Sequence, residues 1–188
     1  EVQTEENPPP KVIRGDGGGA TDSDIVMALC AAWETVDVAE IYSPPGVTEE
    51  ARKWGLRAGE AMDLTTGWDF RKKDHRDKAW EYVEKYKPKL IIGSPMCTMF
   101  SQLQNLSSWT EKKTEKWCEA VRHMQFLTAV YRRQVREGRL FLHEHPAGAT
   151  SWSLKEVREL QEEQGVWTVI RYTEVIATAI KIAIKLFP

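Results

Sequence analysis

Cysteine is scarce in this sequence of 188 residues: there are three, Cys30, Cys97 and Cys118. An odd number at unrelated spacings excludes a disulfide framework and a zinc-ligand pattern, and it fits a reducing compartment. The chain also lacks a basic-then-apolar leader and any apolar run long enough to cross a bilayer. The expectation is an intracellular protein, nuclear or cytoplasmic and not secreted, with no membrane span. Basic residues are few at the start: within residues 1–50, Lys11 and Arg14 face eleven acidic side chains, a balance of −9. The whole chain carries −2, so the remaining 138 residues carry +7. A basic body suits a polyanionic partner, and equally suits solvated helix faces.

What is present is an ordinary globular composition, 41% hydrophobic and 29% charged, enough for one domain with a real core. Residues 1–21, with "NPPP" and "GDGGGA", bury little and read as an acidic arm or linker. The α/β domain is expected over 22–172. "DSDIVMALCAAW" reads as a helix capped by Asp22 or Ser23, and "VAEIYS" as a buried strand stopped by Pro44, Pro45 and Gly46. "VTEEARKWG" reads as a helix with Thr48 as cap and Gly55 as stop, and "EAMDLTT" as a second strand. Helical spacing follows over 74–87, then the strand "KLIIGS", a long helix from Thr110 to Gly138, and the strand "RLFLHEH". The helix "SLKEVRELQEEQ" and the strand "GVWTVIRY" complete the series.

Strands thus alternate with helices five times, and their apolar runs are continuous rather than alternating. That pattern predicts a doubly wound α/β domain, with a mainly parallel sheet covered by helices on both faces. The tail over 173–188 places Glu174, Thr178, Lys181 and Lys185 at helical spacing. An amphipathic helix is expected there, packing on the domain or on a protein partner.

In doubly wound folds ligands sit beyond the carboxyl ends of the strands. Tyr42 and Ser43, Asp63, Gly93 to Cys97, and Glu144 with His145 all fall at such ends. Cys97 follows the strand directly, which suits a nucleophile and equally suits a buried thiol. His143 and His145 alternate about Glu144, pointing away from it, and without further ligands they make no metal site. Trp68 and Asp69 suit a pocket wall or loop packing. Cys30 and Cys118 read as core residues on helices.

In chain order these segments resemble cytosine-5 DNA methyltransferases. "GSPMCTMFS" resembles that family's nucleophile loop, with one extra residue before the cysteine, and "FLHEHPAG" resembles its Glu-Asn-Pro strand end. "EIYSPPGVTEEARKWGLRAGEAMDLTTGWDF" is similar to its first cofactor stretch, so the resemblance covers about residues 37 to 150. Similar segments also occur in retroelement-type polyproteins, which implies a module of a longer chain. The resemblance implies a Rossmann-like methyltransferase core acting on cytosine in DNA, or in RNA. Cys97 would add to the base and Glu144 would meet N3. S-adenosylmethionine would be held by Tyr42, Ser43, Gly46, Asp63, Asp69, Ser94 and Pro95. Ser101 is a candidate nucleic-acid contact, and Arg132, Arg133 and Arg136 of the cluster "YRRQVREGR" suit phosphate contacts and equally suit a solvated helix end. The chain departs from the family in its Ser-Pro-Pro-Gly turn, in His145 after the glutamate, and in having no segment for target recognition. A second reading is therefore a non-catalytic module on this fold, and a third is another thiol enzyme on the same scaffold.

Overall fold

A computed structural model of the chain divides it into two units, 1–33 and 34–188. It describes Ser23 and Val26, both exposed and helical, and residues 35–170. The arm over 1–21, Cys30 with the rest of the expected helix over 22–33, and the tail helix over 173–188 lie outside the described residues.

The second unit is built on a parallel sheet of four strands, β1 Val38–Ile41, β2 Ala58–Met62, β3 Leu90–Gly93 and β4 Leu140–His143, in the order β2-β1-β3-β4. The central strands β1 and β3 are buried along their whole length, including Glu40 within β1. Four helices join and flank them: α1 Val47–Lys53, α2 Lys73–Tyr86, α3 Glu111–Arg136 and α4 Lys155–Gln161. Alternate strand residues separate into two cores. Ile41, Met62 and Ile91 pack with Val83 of α2 and Phe126, Leu127, Val130 and Tyr131 of α3. Val38, Leu90 and Ile92 pack with Ala51 of α1 on the other face. The fold is α/β and Rossmann-like, with helices on both faces.

Caps and stops follow local chemistry. Thr110 Oγ1 accepts from the Lys113 amide at 3.3 Å and starts α3. Lys87, in the left-handed region at φ 42°, ends α2 just before Pro88. Buried Gln134 of α3 donates to the carbonyls of Pro88 and Leu140, both at 2.9 Å, and so ties the helix to the entries of β3 and β4. Gly93 is where α3 comes closest: a Cβ there would collide with the Tyr131 hydroxyl and with Leu127.

Three expectations are corrected. Residues 166–170 of the expected fifth strand are irregular, with Trp167 85% exposed, and among the described residues nothing pairs with the far edge of β4. Strand propensity without a packed neighbour does not make a strand. The cap of α1 is Gly46 rather than Thr48, because Thr48 is buried in the first turn against Glu40. Cys118 is exposed rather than core: it sits one position beyond Trp117, on the outer side of α3's apolar stripe. Among the described residues no helix is long and apolar enough to cross a membrane.

Candidate functional site

The carboxyl ends of the four strands lie side by side, because all four run parallel in near register. Gly93 pairs with His143, the Glu144 amide donates to the Gly93 carbonyl at 2.9 Å, and the Ser94 amide donates to the Ile41 carbonyl at 3.3 Å. The segments carrying Tyr42, Asp63, Ser94 to Cys97 and Glu144 therefore leave the sheet on one side of the molecule.

A pocket of about 600 Å³ opens there. Its walls include Tyr42, Asp63, Leu64, Trp68 and Asp69 from the ends of β1 and β2, Ser94 to Met96 after β3, and Lys112, Lys116, Glu119 and His123 from α3. Asp63 caps a short 3-10 turn, Leu64–Thr66, taking the Thr65 amide at 2.9 Å and the Thr65 hydroxyl at 2.8 Å, both on Oδ1. Its side chain also takes the Thr66 amide in a capping box, and the Asp63 amide donates to the Thr66 hydroxyl at 3.0 Å; a carboxylate's four lone-pair sites leave the acid further acceptor capacity. Leu64 beside it is exposed, giving an acid and an apolar surface next to each other. Asp69 is paired in bidentate fashion with Arg71, at 2.8 and 2.9 Å, and that guanidinium lowers its pKa to about 2.

Tyr42 is the pocket's most constrained residue. Its backbone is left-handed at φ 60°, which is costly for a residue other than glycine. Its ring packs on Phe70 at 4.7 Å and its hydroxyl meets Nδ1 of His123 at 2.8 Å. Burial pushes the phenol's pKa far up and that of His123 down, so both are neutral at pH 7.

Ser43 and Gly46 do not line the pocket. They belong to a turn drawn onto Glu40, a buried acid in β1 that the sequence reading passed over. Glu40 accepts from the Ser43 hydroxyl at 2.9 Å, the Val47 amide at 3.2 Å, and the Thr48 amide and hydroxyl at 2.7 and 2.6 Å. A lone carboxylate inside an apolar strand was the available signal, since a buried acid must be hydrogen-bonded.

Cys97 is half-buried at the start of a 3-10 turn, Thr98–Phe100. Phe100 anchors that loop: it is buried, packs on Trp117 at 5.2 Å and His145 at 5.8 Å, and its carbonyl accepts from the Thr150 hydroxyl at 3.2 Å. The loop after β3 is thereby held against the segment after β4 that carries Glu144, itself half-buried. His143 and His145 share one side, their rings stacked 5.4 Å apart with Trp152 edge-on to both. Burial lowers their pKa values to about 3 and about 4. Nε2 of His143 and both ring nitrogens of His145 lack a partner among the described residues. No group of three metal-ligating side chains occurs among the described residues.

The expected nucleic-acid residues separate. Ser101 stays by the Cys97 loop, its hydroxyl accepting from the Leu103 amide at 3.3 Å. Arg132, Arg133 and Arg136 lie in the last two turns of α3, towards the start of β4 rather than its carboxyl end. Arg132 pairs with Glu159 and Glu163, and Arg133 with Glu84 and Glu137. Lys113, by contrast, is buried at the pocket, donating to the Gln104 and Ser107 carbonyls and lying 4.7 Å from the Trp109 ring centre. Comparison with family models, with curated proteins and with solved structures finds no match.

Proposed function

We propose that this domain binds S-adenosylmethionine and methylates cytosine in DNA, with Cys97 as the nucleophile. The observation that supports the reading best is the pocket, in which Tyr42, Asp63, Asp69, Ser94 and Pro95 meet beside the Cys97 loop. Its residues fit the cofactor: the Asp63 carboxylate suits ribose hydroxyls and the exposed Leu64 suits the face of an adenine. When bound, the cofactor supplies an electrophilic methyl group. The Cys97 thiolate adds to C6 of the base, and the C5–C6 π electrons pass to C5. Glu144 donates a hydrogen bond to N3 and stabilises the charge that develops in the ring. C5 is then the carbon that would receive the methyl group the cofactor supplies, with the cofactor's sulfur keeping the bonding pair and leaving as a thioether. Loss of the C5 proton to a base restores the double bond and releases Cys97. The cytosine must leave the duplex to reach the thiol. Exposed Met96, Leu103, Leu106 and Trp109 border that approach, whereas Arg132 and Arg133 already hold acidic partners.

A second reading, a non-catalytic module of a larger assembly, is favoured by the turn after β1. There the amides of Gly46, Val47 and Thr48 are all bonded within the protein. Calorimetric titration with S-adenosylhomocysteine separates the two. Micromolar binding that Asp63→Ala weakens supports the enzyme, and no binding by the folded chain sinks it. Covalent trapping on 5-fluorocytosine DNA, abolished by Cys97→Ser, then tests the nucleophile.

A further inference from the structure

The geometry points to a stripe on α3, made of Lys116, Glu119 and His123, as the place that holds the amino-acid end of the cofactor. This inference rests on the S-adenosylmethionine reading above and concerns which residues meet which end of the ligand. The turn after β1 has little to offer a zwitterion. Pro44 and Pro45 have no N–H, the Gly46 amide bonds to the Pro44 carbonyl at 2.7 Å, and the Val47 and Thr48 amides bond to Glu40. The Ser43 hydroxyl also goes to Glu40, and neither Ser43 nor Gly46 reaches the pocket wall.

Lys116, Glu119 and His123 are spaced i, i+3 and i+7, which places them along one face of a helix, and all three line the pocket. Ala120, between them, leaves room for a ligand to approach the helix. Their chemistry is complementary to an α-amino acid: a cation and an N–H for the carboxylate, a carboxylate for the ammonium.

The histidine's donor is assigned through its neighbour. In the tautomer in which the protonated Tyr42 hydroxyl donates to Nδ1 of His123, 2.8 Å away, the neutral ring carries its own proton on Nε2. That nitrogen lies 3.9 Å from Glu119 Oε1, beyond hydrogen-bond reach, and is left to serve a ligand. Asp69, Arg76 and Arg122 also act on His123 electrostatically, the acid favouring and the two arginines opposing its protonation, and burial outweighs them all. Tyr42 is thus a positioning residue, and its left-handed backbone at the end of β1 is what brings its hydroxyl to the helix.

The test compares two ligands by calorimetry at pH 7.5: S-adenosylhomocysteine, and 5′-methylthioadenosine, which has the nucleoside thioether without the amino acid. The wild-type chain is expected to favour the first by about tenfold or more. His123→Leu and Glu119→Gln should each weaken S-adenosylhomocysteine by about five- to tenfold and leave 5′-methylthioadenosine within twofold. His123→Gln, which keeps an N–H near the Nε2 position, should restore most of the loss. Equal losses for both ligands would make the stripe merely structural and overturn the inference, as would no loss for either. If Asp63→Ala weakens both ligands while the α3 variants change neither, the cofactor reading survives and this inference alone fails. If the folded wild type binds neither ligand, both fail.

Discussion

The two connections that leave the central strands differ sharply. The turn after β1 closes on itself, with Glu40 accepting four hydrogen bonds within residues 43–48. The segment after β3 does the opposite: from Met96 to Trp109 it exposes four large apolar side chains, with Leu106 83% exposed. It is fastened at only a few points, chiefly Phe100 and Lys113. The sealed turn keeps the sheet's end in shape and holds its Ser43, Val47 and Thr48 donors on Glu40. The open segment carries the thiol. Proximity to a strand end is therefore a poor guide to chemistry by itself, and what the polar groups are already bonded to discriminates better.

Four measurements would break or sharpen that contrast. Glu40→Ala should have the largest effect, about 3–5 kcal/mol of stability by urea denaturation, because it strands buried donors around an empty site. An effect below 1 kcal/mol would show the turn is not held by the acid. Acid should act next, through the other strand end. His143 and His145 have folded pKa values near 3 and 4, against about 6.5 when unfolded. The unfolded chain takes protons first, so stability is complete above pH 6.5 and declines as pH falls towards 3. Between pH 7 and 5 the loss should be about 2–4 kcal/mol, and His143→Phe should reduce it. Lys113→Ala should cost about 1–2 kcal/mol and raise amide exchange over 102–109, since the amine holds that loop's carbonyls. Leu106→Ser should stay within about 0.5 kcal/mol, confirming that the exposed apolar rim contributes little to folding.

Much of the architecture could be read directly. Val38–Ile41, Leu90–Gly93 and Leu140–His143 are short, mostly apolar segments bounded by turn residues, and each is a strand. The long helix was legible from its stripe and its Thr110 cap. Pocket residues at strand ends, such as Tyr42, Asp63 and Ser94, followed from topology alone. Pairing was not legible. The sequence does not say that Arg132 and Arg133 already have acidic partners 27 to 49 residues away, or that Ser43 bonds to Glu40 and the Gly46 amide to Pro44. Nor does local pattern tell whether Val166 to Ile170 has a neighbour to pair with. His123 was missed because a histidine on a helix looks alike whether it packs, caps or binds; only the Tyr42 hydroxyl beside it distinguishes these.

Gly93 joins these parts mechanically. With one hydrogen for a side chain, it lets the Tyr131 hydroxyl and Leu127 settle against the sheet, like a peg seated in its socket. A helix seated this way can neither roll nor slide along the strand without lifting off. The polar stripe about one to four turns earlier on the same rod is then set at a fixed spacing from the strand end that leads into Cys97. The width of the cleft is thus gauged by a single hydrogen at the end of β3.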